Sequence, residues 1–129
     1  MDLSFKTETF GADNQSWLGA AHGTDLGRSV TLNHALFTRA THYPEGYYRG
    51  GTPVARVTAS GLFGPYDPAA TDGRNTLVGF LLRPVGAPTG ATGNVGAAVL
   101  EHGRVIEANL PIAIDAAAKT AVAGRITFA

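Results

Sequence analysis

The stretch from Gly61 to Leu81, Gly-Leu-Phe-Gly-Pro-Tyr-Asp-Pro-Ala-Ala-Thr-Asp-Gly-Arg-Asn-Thr-Leu-Val-Gly-Phe-Leu, restricts the fold more than any other part of this chain. It reads as a strand, a tight turn and a second strand. Asp72-Gly73 is a strong turn pair, because glycine accepts the positive φ that hairpin turns of the primed types demand. Leu77 to Leu82 is a short apolar run around Gly79, of a length suited to a buried strand. Nothing in the stretch gathers the residues that ordinary catalysis needs. It holds a shape.

The rest of the chain has room for one domain. Its 129 residues can bury roughly two-thirds of the surface of the unfolded chain, so folding needs neither metal nor disulfide. Hydrophobic residues make up 44% of it, too many for a disordered protein, while the charged share of 16% is below the usual ~25%. A surface so poor in charge points mildly towards burial against other chains. Ten basic and ten acidic residues cancel, and no run of like charge gives the basic stripe that nucleic-acid binding requires. Without cysteine there are no disulfides and no thiolate metal sites. The opening Met1-Asp2-Leu3-Ser4-Phe5-Lys6 lacks the basic head and apolar core of a signal peptide, and no apolar run reaches the ~18 residues of a membrane span. The reading is a protein held in the cytosol until it joins an assembly, with no membrane and no nucleic acid as partners.

Texture divides the chain at residue 28. Residues 1–28 hold glycines at 11, 19, 23 and 27 and few core candidates beyond Phe5, Phe10, Trp17 and Leu18. They read as an extended arm that orders on a partner. Leu3, Phe5, Thr7 and Thr9 fall on one side of a short strand pattern, opposite Lys6 and Glu8. From residue 29 to 129 strands alternate with turns. Val30 and Leu32 share a face within Ser29–Asn33; Tyr43-Pro44-Glu45-Gly46 is a turn before Tyr47 and Tyr48. Val54–Ala59 is a strand led by Pro53, tolerated there because the first residue of a strand can lack a ladder donor. Asn75–Pro84 is the next strand, Gly86–Asn94 a loop of small residues, and 95–101 with 103–108 a hairpin across His102-Gly103. One helix follows, with Asp115 as N-cap, Ala116, Ala117, Ala118 and Lys119 as strong formers and Gly124 at C′. Arg125–Phe128 is a closing strand.

Candidate chemistry is thin. The histidines at 22, 34, 42 and 102 have no metal-ligand spacing. Asp67 and Asp72 are too sparse for a calcium loop and read as side-chain caps of turns. Ser29 and Ser60 lack the nucleophile-elbow context, and the glycines at 93 and 96 lack the βαβ setting of a dinucleotide loop. Tyr43, Tyr47, Tyr48 and Tyr66 lie in or beside turns, as lids over a core edge or as interface anchors; Trp17, with the arm's phenylalanines, is a candidate anchor.

The ordered succession Val54–Ala59, Ser60 to Pro68, Thr71-Asp72-Gly73-Arg74 and Val78-Gly79-Phe80-Leu81 resembles the head decoration proteins of tailed bacteriophages, the lambda-type capsid-stabilising family with relatives in actinobacterial phages and prophages. In that family a Thr-Asp-Gly turn leads into a Val-Gly-Ile/Phe-Leu strand. Ala97 to Ile106, Asn109-Leu110-Pro111 and the Asp115–Ala123 helix extend the likeness over residues 29–129; the longer N-terminus and the Gly86–Asn94 loop depart from it. The resemblance implies a mainly β (α+β) chain: a small β-barrel-like or β-tulip decoration domain with one short C-terminal helix and an extended N-terminal arm. It implies homotrimers on the outside of the expanded capsid at three-fold and quasi-three-fold positions, with the major capsid protein and the chain itself as partners, no cofactor and no metal. Arm residues Leu3, Phe5, Thr7, Thr9, Phe10 and Trp17 would contact the capsid by strand augmentation, while Asp67, Asp72, Gly73 and Gly79 would hold turns and strands. Removing residues 2–28 should then leave a folded trimer that no longer binds. The rival readings are another β-structured virion component, a head fibre or tail-associated module, and a small carbohydrate-binding or hydrolase domain. The absence of an evident carboxylate pair weighs against glycosidase chemistry.

Overall fold

The computed structural model describes residues 16–19, 27–90 and 92–129. Nine strands occur among them: β1 (Arg28–Asn33), β2 (Tyr47–Tyr48), β3 (Pro53–Arg56), β4 (Phe63–Pro65), β5 (Gly79–Leu81), β6 (Val85–Gly86), β7 (Asn94–Leu100), β8 (Gly103–Val105) and β9 (Ile126–Phe128). Helices are few and short, α1 (Arg39–His42) and α2 (Ala116–Ala121), so the chain is mainly β, as its sequence predicts. Five strands close a barrel in the order β1–β4–β3–β5–β7. The longest seam is antiparallel β1–β7, from Arg28↔Val99 to Asn33↔Asn94, and closure at the other side is the parallel contact Leu32↔Phe63.

Period-two alternation sorts the barrel side chains into two cores. Val30 and Leu32 of β1, Val54 of β3, Phe63 of β4, Leu81 of β5 and Val99 of β7 fill the interior, joined by Phe37 and Tyr48. Ser29 and Thr31 face solvent. Phe80 and Leu100, on the opposite face of β5 and β7, belong to a second core with Trp17, Leu77, Leu82, Val105, Ala118, Val122 and Ile126. The Leu77–Leu82 run is apolar throughout because the wall it forms is covered on both faces.

Several pairings differ from the sequence reading, and the reason is strand edges already taken. β4 and β5 are not partners: each occupies one edge of β3, at Ala55↔Gly64 and Val54↔Gly79. β7 has β1 on one edge and β5 on the other, so residues 103–105 cannot fold back on it as a hairpin. They pair instead in parallel with β9, Gly103↔Ile126 to Val105↔Phe128. The strand expected over 54–59 ends at Arg56, and that expected over 75–84 is strand only at Gly79–Leu81, with the flanking Val78 and Leu82 amides donating to the Val54 and Ala98 carbonyls.

Asp115 caps α2 as its sequence context predicts, Oδ1 accepting the Ala118 amide at 2.9 Å. Gly124 is not the C′ residue. The helix ends at Val122, whose carbonyl accepts the amides of both Arg125 and Ile126 at 2.9 Å, and Gly124 does not adopt positive φ.

Candidate interaction surface

Trp17 and its neighbours are the largest departure from the sequence reading. Ser16–Gly19 is not free arm. Leu18 bridges Val105 in antiparallel register, the Trp17 carbonyl accepts the Ile106 amide at 2.6 Å, and the Gly19 amide donates to Arg104 at 2.9 Å. Trp17 is 1% exposed and lies against Phe80, ring centroids 6.1 Å apart, and against the backbone of Gly51. It is a core residue and cannot present itself to a capsid while the domain is folded. An indole carries ~150–250 Å² of surface, more apolar area than any neighbour in its segment, and the gap between β5, β8 and α2 absorbs it. The sequence signal was there: one large aromatic, followed by Leu18, in a stretch with almost nothing else to bury. Leu3, Phe5, Thr7, Thr9 and Phe10 lie outside the described residues.

Asp67 and Asp72 are spent on local turns. Asp67 Oδ1 accepts the Ala69 amide at 2.9 Å, and its own amide donates to the Arg74 carbonyl at 3.0 Å. Asp72 Oδ1 accepts the Arg74 amide at 3.2 Å while the Arg74 Nε–H reaches both carboxylate oxygens, at 3.1 and 3.0 Å. Burial alone would raise the Asp72 carboxyl, but the Arg74 amide and guanidinium outweigh it and hold it below the usual range. Gly73 follows at φ +111°, with the Thr58 amide donating to the Asp72 carbonyl at 2.9 Å beside it. The turn therefore docks on the chain leaving β3 instead of closing a hairpin. Gly79 serves close approach: a Cβ there would stand 2.3 Å from the Leu100 carbonyl oxygen.

The histidines do not assemble, and among the described residues no group of three or more His, Asp or Glu side chains could hold a metal ion. His34 is buried, Nδ1 paired with the Tyr48 hydroxyl and Nε2 with the Gly90 carbonyl at 2.9 Å. Tyr43 and Phe37 pack around this pair. Burial pushes the Tyr48 hydroxyl up to about 12. Burial lowers His42, whose Nδ1 accepts the Thr38 amide at 2.8 Å. No helix among the described residues is long and apolar enough to cross a membrane.

What the surface offers is contact area. Ala108–Ile114 contains no charged residue, and its side chains line two shallow depressions. One of these also takes in Tyr66 and Asp115, a hydrogen-bonded pair that spacing in the sequence could not reveal, 49 residues apart. A closed barrel with depleted surface charge, turn-bound carboxylates and shallow, open depressions is suited to holding onto something large. The family model of the bacteriophage lambda head decoration protein D matches residues 29–126.

The chain belongs to that family. The match begins one residue into β1 and ends on the first residue of β9, so it takes in the whole barrel, α2 and most of the second core. It leaves out Trp17, although that side chain packs against matched residues such as Phe80 and Val105. No curated protein sequence and no solved structure gave a match. A head decoration protein is a structural component of the phage particle, which fits a fold whose Asp67, Asp72 and Asp115 are committed to its own turns and helix cap and whose His34 is committed to its core. Its partner is the capsid, and its place is the virion.

Proposed function

We propose that this decoration protein forms homotrimers that bind the outside of the expanded capsid at three-fold and quasi-three-fold positions and strengthen the head against packaged DNA. The observation that carries this reading is the family match over the entire barrel. The leading residues up to 15 would reach the major capsid protein and add a strand to it, using Leu3, Phe5, Thr7, Thr9 and Phe10. Strand addition needs an extended segment with free backbone groups more than particular side chains. Root position favours this: Ser16–Gly19 is held on the domain, through the β8 pairing and the Ser16 carbonyl that accepts Asn109 Nδ2 at 2.9 Å. Three arms per trimer make weak contacts add, and a ligand that binds only the expanded shell stabilises that state by mass action. Before assembly the trimer would reside in the host cytoplasm.

The test is co-sedimentation of purified protein with expanded capsids, alongside light scattering of the free protein. Trimers that pellet with capsids, and that lose this on removal of residues 2–15 while remaining folded, are the expected result. A monomer, or an intact chain that ignores expanded capsids, would sink the proposal.

A further inference from the structure

Zero net charge conceals a division. Residues 1–27 carry Asp2, Glu8, Asp13 and Asp25 against Lys6, a net of −3, and the nine basic and six acidic residues of 28–129 leave +3. Within the domain Arg28, Arg74 and Lys119 are paired with Glu101, Asp72 and Glu107. Arg104 and Arg125 have no carboxylate partner among the described residues. Both line one depression of about 400 Å³, with His102, Gly103, Gly124 and Thr127, and among the described residues no acidic side chain borders it. Each arginine is held in place. The Arg104 stem lies over Gly19, whose Cβ would meet it at 2.7 Å, and Arg125 Nη1 donates to the Val78 and Glu101 carbonyls at 3.0 and 2.8 Å.

We propose that this depression receives carboxylates from the leading segment, residues 1–15, of a second copy of the chain. Planar guanidinium groups fit carboxylates in fork geometry, and the two glycines leave the floor without bulky side chains. A shallow, water-exposed pair of cations holds a free small anion poorly, because solvent and salt screen it. An anion carried on a chain that also touches the neighbouring surface is retained. The described root of the chain's own leader, Ser16, lies away from this depression. Ser16–Gly19 runs antiparallel to β8, so residue 16 sits by Asn109, at the opposite end from Arg104. A copy-to-copy contact of this kind is heterologous and closes when the copies form a ring. It concerns the protein in solution and does not rest on capsid binding.

The experiment is fluorescence anisotropy of a labelled peptide of residues 1–15, titrated at low salt with the full-length protein. Saturable binding is expected, weakened at least fivefold by Arg104→Glu, largely kept by Arg104→Lys, and lost when the peptide carries Asp2→Asn, Glu8→Gln and Asp13→Asn. Arg104 is the residue to change, since its head is exposed while Arg125 anchors two carbonyls; a thermal melt checks that the Arg104→Glu protein is folded. Equal binding by the neutral peptide, equal binding by Arg104→Glu, or no saturable signal overturns the proposal.

Discussion

The Tyr66 hydroxyl donates to Asp115 Oδ1 at 2.7 Å, and the same oxygen accepts the Ala118 amide at 2.9 Å. Tyr66 directly follows β4 and Asp115 caps α2, so one carboxylate oxygen starts the helix and ties it to the barrel rim. Burial, then the bond to Asp115, pushes the Tyr66 hydroxyl up to about 12. In return that hydroxyl, followed by the Ala118 amide, holds the Asp115 carboxyl below the usual range.

The pair therefore gives stability two pH limits. A carboxyl with a depressed folded-state pKa contributes stability above its unfolded value and loses it as the pH falls through the folded one. A hydroxyl raised to about 12 contributes below its ordinary value near 10 and loses that contribution as the pH rises through 12. Tyr66→Phe removes the shared bond at a cost of about 1 kcal/mol near neutral pH. Urea denaturation as a function of pH should show both limbs flattened in the variant. An unchanged pH profile would show that the pair does not couple.

Trp17→Ala should cost ~3–5 kcal/mol, the range for emptying a buried aromatic site. Truncations distinguish the root from the leader. Removing residues 2–15 should leave the melting temperature within a few degrees of the intact chain. Removing residues 2–28, which the sequence alone suggests is harmless to folding, deletes Trp17, the Leu18–Val105 bridge and Arg28 of β1, and should unfold or strongly destabilise the domain. Calorimetry on both truncated proteins checks the boundary at Ser16.

Alternation at Val30 and Leu32, the apolar run at Leu77–Leu82 and the cap at Asp115 were legible because each depends on residues close in sequence. Partner choice was not. Whether Gly103–Val105 pairs with β7 or β9 depends on β1 and β5 having already taken the edges of β7, a fact about the whole barrel. Trp17 was misplaced for a related reason: the composition around it is that of a loop, and only the gap between β5, β8 and α2 shows where an indole belongs. The surface was less legible still, since Arg104 and Arg125 come to one depression only through the parallel β8–β9 pairing.

Two strand glycines should respond oppositely to alanine. At Gly79 the added methyl meets the Leu100 carbonyl oxygen at 2.3 Å and Val99 Cγ1 at 2.7 Å, so β5 and β7 must separate. Gly79→Ala is expected to destabilise by ~1–3 kcal/mol. At Gly96, on the exposed part of β7, nothing lies within 4 Å of the added carbon. Gly96→Ala should be neutral, or stabilising by ~0.4–1 kcal/mol through the unfolded chain. Matched denaturation curves decide it, and equal effects would place the β5–β7 contact elsewhere.

His34 holds the Gly86–Asn94 loop through two bonds and is itself fixed by a third. Its amide donates to the Gly93 carbonyl at 2.9 Å, and its ring joins the Gly90 carbonyl to the Tyr48 hydroxyl. A carbonyl only accepts, so Nε2 donates to Gly90, and in the neutral ring Nδ1 takes the hydrogen of Tyr48. Tyr48→Phe leaves Nδ1 buried without a donor, which should cost ~1–3 kcal/mol. In a His34→Ala background the same change should cost less, with a coupling of ~0.5 kcal/mol or more in a double-mutant cycle. Amide exchange at Gly90 and Gly93 gives an independent measure, faster in Tyr48→Phe than in the unaltered protein. Purely additive effects and unaltered exchange would mean that the ring packs beside the loop without tethering it.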